Sequence, residues 1–238
     1  STIRLHSGAT ETDILNALAS LPNGGTVILP AGETIAITRG IAINVTNRDI
    51  TLDLNGSTLK QAGNVSVISA TGTMSTPTGV RLGTSGDNAT ITYGNGVPAN
   101  ITVGDYVKVV SDDVLPHDNK GSEDPTRLGQ AAKVLAIVGN TVVLEGKLLH
   151  QDLYKTNIRA GEIQSGELEI KNGTVQGNQA QGSWKKELVY LRTTVDAKIS
   201  DLTVKDGNSM GINIVNSVNA LVTDVTVKNL RDDTANGY

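Results

Sequence analysis

Aromatic and cationic side chains cluster in one short stretch of the chain, which contains Trp184, Lys185, Lys186, Tyr190 and Arg192. An aromatic ring can stack on the apolar face of a sugar, and ammonium and guanidinium groups pair with carboxylates. The cations could also act on the proton beside a carboxylate, which makes Lys186 and Arg192 candidate catalytic residues. Exposed Lys and Arg on strands equally aid solubility and blunt strand edges, and this second interpretation stays open.

A second set of candidates lies closer to the end of the sequence. Asp232 and Asp233 are adjacent carboxylates, and Arg231 and Asn213 carry polar groups that suit a sugar ligand. Hydrolysis of a glycosidic bond needs two carboxyl groups about 5–9 Å apart on either side of the bond. Neighbours along a chain rarely present both groups in this way, so a partner from another part of the fold would be required. A solvated turn is the simpler interpretation of this pair.

Two copies of a 23-residue unit, at 187–209 and 210–232, must position these side chains. A third copy at 168–176 aligns with 197–205 once a six-residue insertion is allowed for. A fixed period of this length indicates a stacked architecture. Six aligned positions are identical in the two full copies: Val195/Val218, Ala197/Ala220, Asp201/Asp224, Thr203/Thr226, Val204/Val227 and Lys205/Lys228.

Apolar and polar residues alternate inside each copy, which is the periodicity of strands. Three short strands in about 23 residues make one coil of a right-handed, single-stranded parallel β-helix, an all-β fold whose coils stack roughly 4.8 Å apart. Asn172, Asp201 and Asp224 then share one bend of successive coils, where short polar side chains tolerate unusual φ. The aligned apolar residues should be buried in columns: Leu191, Ile214, Leu202, Val225, Val204 and Val227.

Stacking in register should also place the loops at 179–187, 206–211 and 229–238 on one side of the β-helix. The strands that follow the first two loops present Tyr190 and Arg192, and then Asn213, beside them. We therefore expect one polysaccharide-binding surface there. Its catalytic candidates are Lys186, Arg192, Asp232 and Asp233, and its binding candidates are Trp184, Lys185, Tyr190, Asn213 and Arg231.

The rest of the chain predicts a cap and an insertion. Residues 10–21 have the pattern of an amphipathic helix with Thr10 as N-cap and Asp13 three residues later, suited to covering one end of the coils. The coil pattern stops between 97 and 153, where longer alternating strands and a Gly139-Asn140 hairpin predict a small antiparallel β insertion. The expected domains are therefore 1–96 (cap and first coils), 97–153 (insertion) and 154–238 (further coils, incomplete at the C-terminal end).

Composition excludes several classes of partner and leaves others open. The net charge is −4, and no Lys/Arg run is present, which argues against nucleic acid. No stretch approaches about 18 consecutive apolar residues, so no membrane span is expected. Without a coil-like cap after residue 229, further coils or another subunit, for example in a homotrimer, are expected at the C-terminal face.

Cysteine is absent, which excludes a disulfide-stapled fold but not an extracellular location. No metal site or cofactor is expected from a recognisable motif. An acidic run could bind Ca²⁺, although it lacks the spacing of an EF-hand loop, and a flexible polar loop is the alternative. Its residues are Asp112, Asp113, His117, Asp118, Glu123, Asp124 and Arg127.

A family resemblance adds to this interpretation. The segment GGTVILPAG at 24–32, followed by ITLDLNG at 50–56, resembles the start of pectate-lyase-like right-handed β-helix proteins. The segments VGDYVKV at 103–109, GQAAKV at 129–134 and GNTVVL at 139–144 are similar to an insertion in that superfamily, which includes phage tailspike depolymerases and secreted polysaccharide lyases and epimerases. The resemblance implies a right-handed β-helix and a polysaccharide ligand.

The reaction stays open at this point, because this fold hosts lyases, hydrolases, epimerases and inert spikes. The leading expectation is an enzyme, a lyase or depolymerase of an acidic extracellular glycan, of polysaccharide lyase, glycoside hydrolase or uronan epimerase type. The alternative is a non-catalytic receptor-binding spike or adhesin that only holds the glycan. In both cases the expected location is extracellular or on a virion surface.

Overall fold

The computed structural model describes residues 1–118 and 124–231, which form two compact units: 1–73 together with the chain from 164 onward, and 74–163. In the described residues, no helix is long and apolar enough to cross a membrane. The elements are β1 (Thr2–Arg4), α1 (Glu11–Ala19), β2 (Gly25–Ile28), β3 (Thr34–Ile37), β4 (Ile41–Asn44), β5 (Ile50–Asp53), β6 (Thr58–Gln61), β7 (Ile68–Thr71), β8 (Thr73–Met74), β9 (Thr78–Ser85), β10 (Asn88–Tyr93), β11 (Tyr106–Val114), β12 (Arg127–Val138), β13 (Thr141–Leu144), a 3-10 turn (Gln151–Leu153), β14 (Arg159–Gln164), β15 (Leu168–Gln176), β16 (Val189–Arg192), β17 (Lys198–Lys205), β18 (Ile212–Val215) and β19 (Leu221–Lys228).

Parallel strands in two sheets build the first unit. One sheet follows the order β1-β2-β5-β15-β17-β19, with β3 and β6 paired beside it, and the other follows β4-β7-β16-β18. Successive coils keep the predicted register, since Ile199 pairs with Val222 and Val189 with Ile212. The predicted all-β, right-handed parallel β-helix is confirmed.

The bends of the coils use left-handed backbone conformations, as the repeated Asn and Asp residues predicted. Asn172, Asp201 and Asp224 have φ values of 65°, 50° and 53°. Asn and Asp reach this region more readily than other residues with a side chain, because their short polar groups bond locally. These three positions therefore have a structural explanation.

The interior of the first unit is aliphatic and confirms only part of the predicted columns. Leu191, Leu202 and Val204 are buried, at 0%, 2% and 0% exposure. Ile214 and Val225 are only partly buried, and they pack against the same core. The prediction is wrong for Val227, which is 45% exposed. Val227 lies in β19, the last described strand of its sheet, so no described strand covers its outer side.

Helix α1 covers the core beside the first coils, as expected from residues 10–21. Ile14, Leu18 and Leu21 are at most 4% exposed and belong to the aliphatic core. At the N-terminus the backbone N–H of Thr10 donates to Oδ2 of Asp13 at 2.8 Å, which satisfies a donor that the first turn leaves free. The helix is amphipathic and short, so its stability depends on this packing.

Two charged side chains hold the helix against the neighbouring coil. The buried carboxylate of Glu11 accepts hydrogen bonds from the backbone N–H groups of Thr38, Arg39 and Gly40 at 3.1, 2.9 and 3.0 Å. Burial raises the pKa of Glu11, but these hydrogen bonds outweigh it and leave the pKa below its usual value. At the other end Arg48 Nη2 donates to the carbonyls of Leu18 and Leu21 at 2.7 and 2.9 Å.

The second unit, 74–163, is antiparallel, with the strand order β11-β12-β13-β10-β9-β14-β8 and its own apolar core. The segment 97–153, which the sequence analysis assigned to the insertion, lies inside this unit. Residues 78–93 belong to it as well, because β9 and β10 form an antiparallel hairpin that also pairs with β13 and β14. Gly139 and Asn140 form the predicted turn, with Val138 paired to Thr141.

We predict that Val204→Asp unfolds the first unit, because it places an unpaired charge at a position with 0% exposure. The free energy of unfolding should fall by about 4 kcal/mol or more, measured by denaturant titration with circular dichroism. The matched control is Val227→Asp, the same repeat position at 45% exposure, which should change it by about 1 kcal/mol or less. Equal effects at the two positions would contradict the burial pattern.

We predict that Glu11→Gln lowers the free energy of unfolding by about 2 kcal/mol at neutral pH, because the amide cannot accept all three backbone N–H groups. The pKa of Glu11 is lower in the folded state than the unfolded value of about 4.3. The stabilisation is therefore complete above that pH and is lost as the pH falls through the folded pKa. Thermal melts of both proteins as a function of pH should converge in acid, and a constant difference would contradict the assignment.

Candidate functional site

The loop between β15 and β16 stacks on the turns of the next two coils, as the repeat implies. Gln179 Nε2 donates to the carbonyl of Asn229 at 2.7 Å, two coils further along. The backbone N–H of Arg231 donates to the carbonyl of Gly207 at 2.8 Å. Loop segments from three coils therefore lie side by side on one side of the first unit.

Strands β16 and β18 continue this surface. Tyr190 pairs with Asn213 across the two strands, and both are partly exposed. Arg192 is exposed and lies between Thr71 of β7 and Val215 of β18. The alternation of strand side chains directs Tyr190 and Arg192 outward while Leu191 between them is buried.

The loop itself carries the remaining candidates. Trp184 is partly buried, Lys185 and Lys186 are exposed, and the backbone N–H of Trp184 donates to the carbonyl of Gln181 at 2.9 Å. Arg231 lies against the loop, since a Cβ added to Gly182 would be 3.3 Å from its Nη1 atom.

Seven of the nine sequence candidates belong to these stacked loops or to strands β16 and β18 that follow them, and we name this set of residues the cationic face. It carries four cations and two aromatic rings, a combination that suits a ligand with carboxylates and sugar rings. Asp232 and Asp233 lie outside the described residues. The cationic face comprises Trp184, Lys185, Lys186, Tyr190, Arg192, Asn213 and Arg231.

A second surface was not predicted from the sequence. A groove of about 530 Å³ crosses the outer side of β2, β5, β15 and β17, and it is rich in carboxylates. We name it the acidic groove. Its lining includes Asp49, Glu167, Glu169 and Asp196, together with Thr26, Thr51 and Lys198, and the turn at 23–25.

Register explains how these carboxylates come together. Thr51, Glu169 and Lys198 are direct neighbours across three adjacent strands. Asp49, Glu167 and Asp196 come just before these three strands, so the parallel strands bring them to the same end of the groove. The backbones of adjacent coils are about 4.8 Å apart, and those of alternate coils about 9.6 Å apart.

Part of this carboxylate row also has a structural role. Asp49 Oδ1 accepts the backbone N–H of Glu167 at 2.8 Å, and Glu169 lies 3.7 Å from the ammonium of Lys171. Glu167 and Asp196 are exposed. Gly24 is required at the end of the groove, because its φ is +92° and a Cβ would lie 2.5 Å from the carbonyl oxygen of Asp49.

The sequence repeat was sufficient to predict that some of the groove residues lie on adjacent coils. The offset of 29 between the third copy and the next already aligns Glu167 with Asp196 and Glu169 with Lys198. The position of Asp49 could not be predicted in the same way. Strand β5 pairs with β15, which is 118 residues later in the sequence and follows the whole second unit.

The acidic run of the second unit is engaged with protein groups. Asp113 Oδ2 accepts the backbone N–H groups of Lys155 and Thr156 at 2.7 and 2.9 Å, which holds its pKa well below the usual range. Hydrogen bonds from Asn157 and Arg159 likewise lower the pKa of Asp112. Among the residues that the structure describes, no three potential metal ligands of the His, Cys, Asp or Glu type are grouped to hold an ion.

Comparison with known proteins gives structural matches only. No family model matches the chain. No curated protein matches its sequence significantly. Among solved structures it is similar to the tailspike protein gp49 of Pseudomonas phage LKA1, with a TM-score of 0.61, 20% identity, and coverage of 92% of this chain and 41% of that one.

Two further tailspikes are similar at a TM-score of 0.59 and 92% coverage of this chain. One is gp54 of Acinetobacter baumannii bacteriophage AP22, solved in complex with A. baumannii capsular saccharide, at 12% identity and 41% coverage of that chain. The other is gp61 of Pseudomonas phage phi297, at 14% identity and 44% coverage. The chain thus spans about two fifths of the length of these proteins, and what it shares with the phage tailspikes is their parallel β-helix fold.

Proposed function

We propose that this chain binds an extracellular polysaccharide as part of a tailspike-like protein on a virion surface. The observation that supports the proposal is the stacking of loops from three coils, which carry Trp184 and three cations, next to strand β16, which presents Tyr190 and Arg192. The fold supports it, since a tailspike with this architecture was solved with a capsular saccharide bound. Further coils or other subunits, as in a homotrimer, would extend the same surface.

The chemistry of the cationic face favours an acidic glycan. Trp184 and Tyr190 offer rings that can stack on sugar faces, and Arg192 is exposed to pair with a carboxylate. The long stems of Lys185 and Lys186 allow their ammonium groups to follow a flexible polymer. This is the binding function that the face supports best.

The same face could also support cleavage by elimination. A base removes the proton next to a uronate carboxylate, the electron pair forms a carbon–carbon double bond, and the glycosidic C–O bond breaks. The leaving oxygen then takes up a proton. Lys186 is our candidate base and Arg192 our candidate for neutralising the carboxylate, while Asp232 and Asp233 remain predicted partners.

We predict that Trp184→Ala, Lys186→Ala and Arg192→Ala each weaken binding of an acidic capsular polysaccharide about tenfold, or about 1.4 kcal/mol. The melting temperature should not fall, because none of the three side chains is buried in the core. Lys60→Ala, an exposed cation on β6, is the matched control and should bind as the wild type does. Affinity is measured by calorimetry, and unchanged affinity in all three variants would place the site elsewhere.

Ultraviolet absorbance of the same mixtures separates a lyase from a binder. A lyase product is unsaturated and absorbs, whereas a non-catalytic spike binds the polymer without any such product. Loss of the absorbance in Lys186→Ala at polymer concentrations that saturate the variant would assign that residue to catalysis.

A second candidate function, glycoside hydrolysis, is favoured by the acidic groove. Retaining enzymes place two carboxyl groups about 5–5.5 Å apart, and inverting enzymes about 6.5–9.5 Å apart. Backbone spacings of about 4.8 Å between adjacent coils and about 9.6 Å between alternate coils span this range, so Glu167 with Asp196, or Asp49 with Asp196, is our candidate pair. Such a groove repels an acidic polymer, so its substrate would be a neutral or cationic glycan.

We predict that, if the groove hydrolyses a glycan, Glu167→Gln and Asp196→Asn each lower the release of reducing ends from a neutral polysaccharide about a hundredfold or more. Lys186→Ala on the cationic face is the control and should leave this activity unchanged. Full activity in both groove variants would exclude the groove as the hydrolytic site.

A further inference from the structure

Asn208 is a buried residue that contacts the loop between β15 and β16, which carries part of the cationic face. It lies in the turn between β17 and β18 and is 2% exposed. Its Nδ2 group donates to the carbonyls of Asn178 and Gln181 at 3.0 and 2.9 Å. Both carbonyls belong to the loop between β15 and β16, on the preceding coil.

The two carbonyls that Asn208 binds also close the two successive turns of that loop. The carbonyl of Asn178 accepts the backbone N–H of Gln181 at 3.1 Å. The carbonyl of Gln181 accepts the backbone N–H of Trp184 at 2.9 Å. One amide group therefore ties both turns that lead to Trp184 to the buried turn of the next coil.

The orientation of this amide is set by its partners. In the reversed orientation Oδ1 would face two carbonyl oxygens, and both hydrogen bonds would be lost. In the observed orientation Oδ1 is buried and finds no hydrogen-bond partner in the described part of the chain. A buried acceptor without a partner costs about 1–3 kcal/mol, so the two loop contacts must offset that loss.

We propose that Asn208 is a positioning residue that sets the placement of Trp184, Lys185 and Lys186 on the cationic face. The expected effect on sugar binding rests on the proposed polysaccharide-binding function. The positioning of the loop rests only on the hydrogen bonds of Asn208 described above. Asn208 does not touch the ligand. It acts through the loop, whose conformation decides where the ring of Trp184 meets a sugar.

Trp184 is the single tryptophan of the chain, so its fluorescence reports on the loop alone. The test uses Asn208→Asp, which replaces the donor with an acceptor facing two carbonyls, and Asn208→Ala as a milder variant. Ser209→Ala is the matched control, a neighbouring residue at 6% exposure. Far-ultraviolet circular dichroism first establishes that each variant is folded.

We predict a red-shifted emission and stronger acrylamide quenching in both Asn208 variants, faster trypsin cleavage after Lys185 and Lys186, and no change in Ser209→Ala. Affinity for an acidic polysaccharide should fall about tenfold, as expected for about 1.4 kcal/mol. Unchanged quenching and cleavage would overturn the inference. So would altered fluorescence with unaltered affinity in a protein that binds the polymer.

The two proposals fail in different ways. If the wild-type protein binds no polysaccharide, the proposed function fails, while quenching and cleavage still decide whether Asn208 positions the loop. If the wild type binds and the variants bind equally well, the function stands and the role of Asn208 in it is refuted.

Discussion

In-register hydrogen bonding between coils is the constraint on which the rest of the first unit depends. Seven of the eight residues of β17, all except Asp201, pair with the residue 23 positions later in β19, and β16 and β18 keep the same offset. A bend must then recur at the same position in every coil, or the ladder would slip. Left-handed residues accordingly recur in matched pairs: Thr193/Asn216, Asp196/Asn219, Asp201/Asp224 and Asp206/Asn229.

Register also explains how two surfaces of opposite charge arise from one repeat. Arg192 ends β16 on the cationic face, and Asp196 lines the acidic groove after a short turn. Because the coils stack without slipping, Asp49, Glu167 and Asp196 come together before three adjacent strands. Arg192, in contrast, lies between the uncharged Thr71 and Val215. An acidic polymer would be attracted to the cationic face and repelled from the acidic groove. The charge of a polymer would therefore decide which of the two surfaces it could approach.

The sequence was sufficient to predict the features that depend on the 23-residue repeat. The fold, the bends and the stacking of the loops at 179–187 and 206–211 all depend on residues separated by one or two repeats. The place of Asp49 depends on a pairing across 118 residues, which no local pattern reveals. Strand alternation does not distinguish parallel from antiparallel pairing, so the expected first coils at 1–96 included β9 and β10, which belong to the second unit. The contacts of Asn208 depend on a loop path without periodicity.

In the irregular segments of this protein, side chains form the hydrogen bonds to the backbone that neighbouring strands provide within the sheets. Glu11 binds three consecutive backbone N–H groups, Asp113 binds two, and Asn208 binds two carbonyls. In each case polar backbone groups outside the sheets obtain the partners that burial or turn formation demands. The stacked coils are stabilised by the aliphatic core and by the hydrogen bonds between strands. The side-chain contacts described here belong to neither. Loops outside the ladder can therefore change through a few polar side chains while the coils beneath them persist.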